Sequence, residues 1–316
     1  MSLSTLTIAH VNLNCRDLSA SRPFFESLGL EAAIHTDPAP QDCRAFGFDG
    51  AARWDAWMMQ DGRGLGSAAL DLLEWKEPLP IGAPAQPGSR PGFERLGFTV
   101  KELARAREAV RRSGGFASEI AELALASRGT SRGFGAISPE GQALLVTEGE
   151  HDGFVHVGIG CLDLDVAEEF YGRVFGLERR DAPGPASQPA QVFRPGLETR
   201  SGDVRFETRT LYPSGAVPGP MGEEPFHLML TQWHEPTASG RGAEEPNRVG
   251  LFRMAFLVAD IETCHEQLEA WRVEGLSAIV ELDLGPSCPS PPCKAVFFRD
   301  PDGACLELIA VPGVDL

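Results

Sequence analysis

The chain carries the stretch IAHVNLNCRDLSASRPFFESLGLE at residues 8–31 and repeats its pattern as FVHVGIGCLDLDVAEEFYGRVFGLE at residues 154–178. In both copies, a strand-like alternation around a histidine leads into a helix-like spacing of apolar residues. His10 matches His156 and Cys15 matches Cys161, both at an offset of 146 residues. Self-similarity of this kind indicates a duplicated architecture.

Three further blocks recur in the same order. They are LDLLEWKEP (70–78) with LMLTQWHEP (228–236), GFERLGFTV (92–100) with GLFRMAFLV (250–258), and SPEGQALLV (138–146) with DPDGACLEL (300–308). A chain of 316 residues is long enough for two ordinary domains. The repeat therefore predicts an N-terminal unit of residues 1–150 and a C-terminal unit of residues 151–316.

Charge and composition restrict the partners. The formal net charge is −17, and the sequence has no Lys/Arg cluster of the kind that binds nucleic acid or an anionic membrane. No apolar run approaches the roughly 20 residues that span a bilayer. We therefore expect a small-molecule substrate or ligand, no nucleic acid, no membrane, a cytoplasmic location, and a monomer or homodimer. Of the seven cysteines, only Cys288 and Cys293 lie close together, and this pair either closes a small disulfide or has no role.

Each half contains a strand–helix–strands theme twice. Helical spacing of apolar residues predicts a helix around Phe24 and its repeat around Phe170. Two further helices are predicted over residues 101–112 and 261–273, each followed by glycine. The chain is thus predicted to be α+β and to consist of four βαβββ modules.

On these blocks the chain resembles the vicinal oxygen chelate superfamily, which includes glyoxalase I, extradiol dioxygenases and bleomycin-resistance proteins. The resemblance is carried by the stretch at residues 154–178, by its copy at residues 8–31, and by FFRDPDGACLELI at residues 297–309. It covers essentially the whole chain. It implies two glyoxalase-like domains with curved mixed sheets around a cavity, and a divalent metal that a substrate chelates through neighbouring oxygens.

Strand alternation predicts which side chains face each cavity, because successive residues of a strand point to opposite faces. The apolar residues of each strand must lie beneath the helices, so the intervening residues face inward. For the C-terminal unit, the inward residues include His156, His227, Met229, Thr231, Arg253 and Glu307. For the N-terminal unit they are His10, Asn12, Asn14, Asp71, Arg95 and Leu145. The second set is poor in metal ligands, so we expect the site in the C-terminal cavity.

The resemblance implies two interpretations of that cavity. In the extradiol type of site, two histidines and a glutamate form a face that suits Fe(II). His156 and Glu307 match two of these positions, but Arg253 stands at the third, where a guanidinium cannot ligate a cation. Either His227 completes a metal site with His156 and Glu307 for Fe, Mn, Zn or Ni, and Arg253 holds the substrate, or the metal is lost and Arg253 pairs with Glu307.

Two functional classes follow. The first is a metal-dependent lyase, isomerase or dioxygenase that acts on a small vicinal-oxygen metabolite, with Arg253 and Glu307 as catalytic residues. Its substrate-binding residues would be Arg253, Met229, Thr231 and Trp233. The alternative is a metal-free small-molecule-binding protein of the bleomycin-resistance type, which uses an apolar cavity without chemistry. The metal-ligand set separates the two, because a binding protein does not require one.

Overall fold

The computed structural model describes residues 2–46, 51–64, 67–125, 129–180, 187–196, 203–217, 223–283 and 292–313. Within them, the predicted module occurs four times in succession, and modules 1 and 2 form the N-terminal half. The α+β class with four βαβββ modules is therefore confirmed. Cys288 lies outside the described residues.

The modules share a common order of elements. Module 1 contains β1 (Thr5–Cys15), α1 (Leu18–Glu26), β2 (Glu31–Thr36), β3 (Gln41–Asp42), a 3₁₀ turn (Arg44–Phe46), β4 (Ala51–Gln60) and β5 (Ala69–Glu77). Module 2 contains β6 (Gly92–Val100), α2 (Leu103–Arg112), β7 (Phe116–Ala117), β8 (Ala121–Leu125), β9 (Gly129–Ile137) and β10 (Ala143–Glu148). Module 3 contains β11 (Gly153–Cys161), α3 (Leu164–Phe175), β12 (Leu177–Arg179), β13 (Ser187–Pro189), α4 (Ala190–Phe193), β14 (Asp203–Pro213) and β15 (His227–Glu235). Module 4 contains β16 (Gly250–Val258), α5 (Ile261–Ala270), β17 (Val280–Leu282), β18 (Cys293–Arg299) and β19 (Cys305–Ala310).

The strands form two mixed sheets. In the first sheet the order is β17-β18-β19-β16-β1-β5-β4-β2, with β3 beside β4. In the second sheet the order is β12-β14-β15-β11-β6-β10-β9-β7, with β13 beside β14 and β8 beside β9. The first strands of two modules meet antiparallel at the centre of each sheet, β1 with β16 and β6 with β11. Each sheet therefore joins one module from each half of the chain.

The predicted division at residue 150 marks the repeat in the sequence, but the sheets do not follow it. Module 1 pairs with module 4, and module 2 pairs with module 3. Each half on its own would leave the backbone hydrogen-bonding groups of two first strands without these partners. The cavities expected within each half are replaced by two inner faces that both halves build.

The helices begin and end where local chemistry dictates. The Asp17 carboxylate accepts hydrogen bonds from the first amides of α1, and Asp163 does the same for α3. Gly176 ends α3 at a φ of 68°, a left-handed conformation that glycine adopts without steric cost. In the described parts of the chain, no helix is both long and apolar enough to cross a membrane.

A single large apolar core lies between the sheets and the four long helices. It contains Val11 and Leu72 from the first sheet and Leu96, Phe98 and Val157 from the second, packed with the buried faces of the helices. Residues between these positions point to the opposite face of each sheet. We call that opposite side the inner face, and it carries the candidate functional residues.

Candidate functional site

The strand positions predicted to face inward do so. In the first sheet, Ala255 and Leu257 pack with Ile309 in a small cluster apart from the main core, whereas Met254 and Phe256 belong to that core. The same alternation holds in the second sheet, where Leu145 and Met229 share an inner cluster. The sequence thus predicted the orientation of these side chains.

The grouping of these side chains differs from the expectation, because the modules pair across the halves. His10, Asn12 and Asp71 share the first sheet with Arg253 and Glu307. His156, His227, Met229 and Thr231 share the second sheet with Arg95 and Leu145. The structure therefore brings His156 and His227 together but places Glu307, the third expected metal ligand, in the other sheet.

The inner face of the first sheet carries a buried network around one guanidinium. Arg253 Nε donates to Glu307 Oε2 at 2.7 Å, and Arg253 Nη2 donates to Asp71 Oδ2 at 2.8 Å. His10 Nε2 lies 3.3 Å from Glu307 Oε2, and Asn12 Nδ2 donates to Asp71 Oδ2 at 3.1 Å. We call these five residues the Arg253 centre.

Electrostatics favour the charged forms of Glu307 and Arg253. Burial alone would raise the pKa of Glu307, but Arg253 and His10 outweigh it and hold that pKa below its usual value of 4.5. Burial alone would lower the pKa of Arg253, but Glu307 and Asp71 together raise it. The guanidinium thus serves as the counter-ion of two buried carboxylates.

A metal ion does not fit the Arg253 centre. Its ligands would have to be Asp71, Glu307 and His10, yet a permanently charged guanidinium already lies between the two carboxylates. Arginine donates hydrogen bonds and cannot ligate a cation, and its charge repels one. Of the two interpretations of the sequence, the pairing of Arg253 with Glu307 is the one that this geometry matches.

The inner face of the second sheet carries a pair of imidazoles. His156 on β11 lies opposite His227 on β15, and their rings stack at a centroid distance of 5.2 Å with an interplanar angle of 27°. Metal ligation requires ring nitrogens that converge on one point, together with further ligands. Among the residues that the structure describes, no group of three or more His, Cys, Asp or Glu is arranged to hold a metal ion.

Glycines of the neighbouring strand make room for the polar side chains of this face. A Cβ atom at Gly97 would lie 1.9 Å from Cε1 of His156, and one at Gly158 would lie 2.5 Å from Cγ of Arg95. Both distances are far below van der Waals contact. The two side chains therefore lie flat over glycine backbone, which explains why these strands alternate apolar residues with glycine.

A pocket opens beside the two histidines. Its lining atoms enclose only about 30 Å³, and about 490 Å³ of empty space lies between them when the open mouth is counted. The apolar wall consists of Leu145, Val155, Phe193, Phe206 and Met229, together with Ala124 and Leu125. The polar lining consists of Thr147, His156, Gln188, Thr208, Thr210, Glu224 and His227. Most of these side chains are buried, so a molecule bound here would be largely removed from water.

One side of the pocket is formed by a segment that covers part of the inner face. The short helix α4 approaches β9 so closely that a Cβ atom at Gly135 would lie 2.1 Å from the carbonyl oxygen of Val192. Beyond it, the Arg95 guanidinium lies 5.3 Å from the Phe193 ring centroid and 5.4 Å from that of Trp233. Phe193 of this segment therefore belongs both to the pocket wall and to the aromatic cluster around Arg95.

The residues predicted to bind substrate do not all line the pocket. Met229 lines the pocket. Thr231 is fully buried, and Trp233 donates from Nε1 to Glu94 Oε2 at 2.9 Å; neither belongs to the described pocket lining. Arg253 lies in the other sheet. The pocket and the Arg253 centre are separate places in the molecule.

Sequence reasoning missed two carboxylates of this face. The β6–β11 register skips Glu94, so Glu94 is the extra residue of a β-bulge. Its carboxylate therefore lies on the same side as the Arg95 guanidinium and accepts a hydrogen bond from it. Glu224 precedes β15 in a connection, where no strand alternation applies. Its Oε1 accepts a hydrogen bond from the Tyr212 hydroxyl at 3.1 Å and lies 3.7 Å from Nδ1 of His227. No sequence pattern marks either position.

Compared by sequence, the chain matches no protein-family model and no curated protein. Solved structures with a similar fold exist. Glyoxalase I from Zea mays has a TM-score of 0.62 at 15% identity, over 96% of this chain and 92% of that chain. A putative dioxygenase from Bacillus subtilis has a TM-score of 0.58 at 14% identity, over 98% of this chain and 87% of that chain. At such identities the likeness concerns the fold and not the activity. With its four modules and curled mixed sheets, the chain has the same fold as these glyoxalase I and dioxygenase structures.

Proposed function

We propose that the protein binds a small organic molecule in the pocket of the second sheet, and that it does so without a metal ion. The observation that carries this proposal is the Arg253 guanidinium between Asp71 and Glu307. In the first sheet, the carboxylates that would otherwise chelate a cation are paired with this guanidinium instead. The second sheet then offers the better place for a ligand.

The lining of the pocket has the composition of a small-molecule site. Such sites are concave, mostly apolar, and carry a few placed polar groups. Here the apolar wall around Phe193 and Phe206 faces a polar end that contains His156, His227 and Glu224. These observations support a ligand with one apolar and one polar end.

The metal-dependent enzyme is the second candidate, and one observation favours it. His156 and His227, two of the three expected metal ligands, lie side by side at the pocket. Glu224 would have to replace Glu307 as the carboxylate ligand. Against this, no group of three or more His, Cys, Asp or Glu is arranged to hold a metal ion among the residues that the structure describes.

A fragment screen in the presence of EDTA tests the first proposal. Fragments that raise the melting temperature of the protein would be tested again with Thr208→Trp, which places an indole at a half-buried position of the pocket lining. We expect the stabilisation to persist in EDTA and to disappear in this variant. Thr130→Trp, at an exposed strand position outside the lining, serves as the matched control.

Two results would contradict the proposal. Fragments that bind only after a divalent metal is added would favour the metal-dependent enzyme. Fragments whose effect is the same in the parent and in Thr208→Trp would bind elsewhere on the molecule. Circular dichroism of both tryptophan variants establishes that they fold.

A further inference from the structure

The chemistry of the pocket points to a ligand class. Resting on the proposed function, we propose that the pocket takes a flat aromatic molecule whose polar end is a cation with several N–H donors, such as an amidine or a protonated amine. Three observations carry this inference: the hydrogen-bonding direction of the polar groups, the sign of the charge, and the shape of the wall.

The polar end of the pocket presents acceptors. A carbonyl oxygen only accepts hydrogen bonds, so the contact of His227 Nδ1 with the Pro225 oxygen at 3.1 Å places a proton on Nδ1. In the neutral ring, Nε2 is then an acceptor. The Glu224 carboxylate nearby accepts from the Tyr212 hydroxyl and is itself unable to donate when ionised. A ligand that meets His227 and Glu224 has to donate hydrogen bonds to them, whereas the threonine hydroxyls of the lining can donate or accept.

The charge at the pocket is negative. Among the described residues that line it, Glu224 alone carries a formal charge, and none is Lys or Arg. The Arg63 guanidinium reaches the backbone oxygen of Glu224 at 2.7 Å, but it is paired with Asp61 at 2.6 Å. A whole-chain charge of −17 adds a field of the same sign. A carboxylate, phosphate or thiolate ligand would therefore be repelled, and a cation attracted.

The walls of the pocket carry several aromatic rings. Phe193 and Phe206 lie with ring centroids 4.9 Å apart, and the imidazoles of His156 and His227 continue into the Tyr212 ring, which lies 4.7 Å from His227. Aromatic faces pack well against another planar ring. The body of the ligand is therefore an aromatic ring or fused ring system, with its charged group directed to Glu224.

Three probes of nearly one shape test this inference: benzamidine is a cation, benzamide is neutral, and benzoate is an anion. Each would be titrated into the full-length protein in EDTA, with the ¹³C-methyl resonance of Met229 reporting on the pocket and calorimetry giving the Kd. We expect benzamidine to bind roughly tenfold more tightly than benzamide and benzoate to bind least. In Glu224→Gln the advantage of benzamidine over benzamide should be lost, whereas Glu223→Gln, the adjacent carboxylate outside the described lining, should retain it.

The outcomes separate this inference from the proposed function. If benzamide or benzoate shifts the Met229 resonance at least as strongly as benzamidine, or if Glu224→Gln retains the preference, the ligand class is overturned and the pocket remains a binding site. If none of the three probes, nor indole, shifts Met229, the proposed function itself fails. Equal melting temperatures of the two glutamine variants would exclude a difference in folding as the cause.

Discussion

Arg253 is the residue on which the chemistry of the first sheet depends. A buried carboxylate is costly unless it is paired, and here two of them share one guanidinium. The planar fork of arginine can bind both at once, which a lysine ammonium would do with poorer geometry. The residue that removes the metal site thus also stabilises the buried charges that remain.

Replacing Arg253 by Met should strongly destabilise the protein. The variant keeps the length of the side chain but removes the guanidinium that pairs with the buried Asp71 and Glu307, at a cost of about 3–5 kcal/mol at neutral pH. Denaturant unfolding measures this free energy. Arg205→Met, which removes an exposed ion pair with Glu235, should cost less than about 0.5 kcal/mol. Similar losses in the two variants would refute the role given to Arg253.

The loss in Arg253→Met should also depend on pH. In the parent, the folded-state pKa of Glu307 lies below 4.5, so its contribution to stability is present above pH 4.5 and is lost as the pH falls through the lowered pKa. In the variant, the loss of Arg253 raises the pKa of the buried Glu307. Protonation of Glu307 at low pH therefore reduces the loss of unfolding free energy. The difference in unfolding free energy between parent and variant should therefore be larger at pH 7 than at pH 4. A difference that does not change with pH would contradict this.

Asp300 should give a pH dependence of the opposite sign. Burial raises its pKa from 3.8 to about 6, although it accepts hydrogen bonds from the Tyr171 hydroxyl and the amides of Asp302 and Ala304. A carboxyl whose pKa is raised on folding contributes stability below pH 3.8 that is lost as the pH rises through 6. Asp300→Asn should lack this loss. Unfolding free energies of parent and variant between pH 4 and 7 test it, and parallel curves would rule it out.

At the scale of elements, strand alternation predicted which face the site residues point to, but it did not predict the positions of the β-bulges. Because side chains alternate strictly along a strand, the sequence alone assigned His10, Asp71, Arg253 and Glu307 to an inner face. A β-bulge breaks that alternation. The β1–β16 register sets two residues of β16, Phe252 and Arg253, against one residue of β1, Asn12, which allows Phe252 and Arg253 to share one face. A separate bulge in the β6–β11 register places Glu94 beside Arg95. Such insertions have no sequence signature in these strands.

Gly97→Ala tests how closely β6 and His156 approach each other. The added methyl group would overlap the imidazole, so the variant should lose about 1–3 kcal/mol of unfolding free energy. The loss should be much smaller when the same change is made in His156→Ala. Gly172→Ala is the matched control: its Cβ would lie 3.4 Å from the nearest atom, and within α3 the change should stabilise by up to about 1 kcal/mol. A Gly97→Ala protein as stable as the parent would contradict the described packing.

At the scale of the whole molecule, the sequence predicted four modules but not which of them pair. Alternation determines which face of a strand is apolar. That face is the same whichever module supplies the neighbouring strand, so alternation does not determine the neighbour. The inward-facing charged residues did not identify the paired modules either, because each half contains both an arginine and a carboxylate (Arg95 with Asp71, Arg253 with Glu307). The structure resolves the choice, with β1 beside β16 and β6 beside β11.

This pairing makes a prediction for the separated halves. Residues 1–150 and 151–316, expressed separately, should each lack the antiparallel partners of two first strands, and neither should form a stable monomer. Refolded together, they should give a 1:1 complex that unfolds in one transition, as the shared core implies. Size-exclusion chromatography with light scattering would show this. Two stable, independent monomers would contradict the pairing of modules across the halves.

The measurement that bears most directly on the whole account is the metal content of the protein. The parent would be purified without chelators or affinity-column metals, incubated with Fe(II), Mn(II), Zn(II) or Ni(II), dialysed, and analysed by plasma mass spectrometry beside Glu307→Ala and His156→Ala. With the guanidinium of Arg253 between Asp71 and Glu307, we expect far less than one ion per chain in the parent and no change in either variant. Close to one ion per chain in the parent, lost in Glu307→Ala or in His156→Ala, would contradict the metal-independent account.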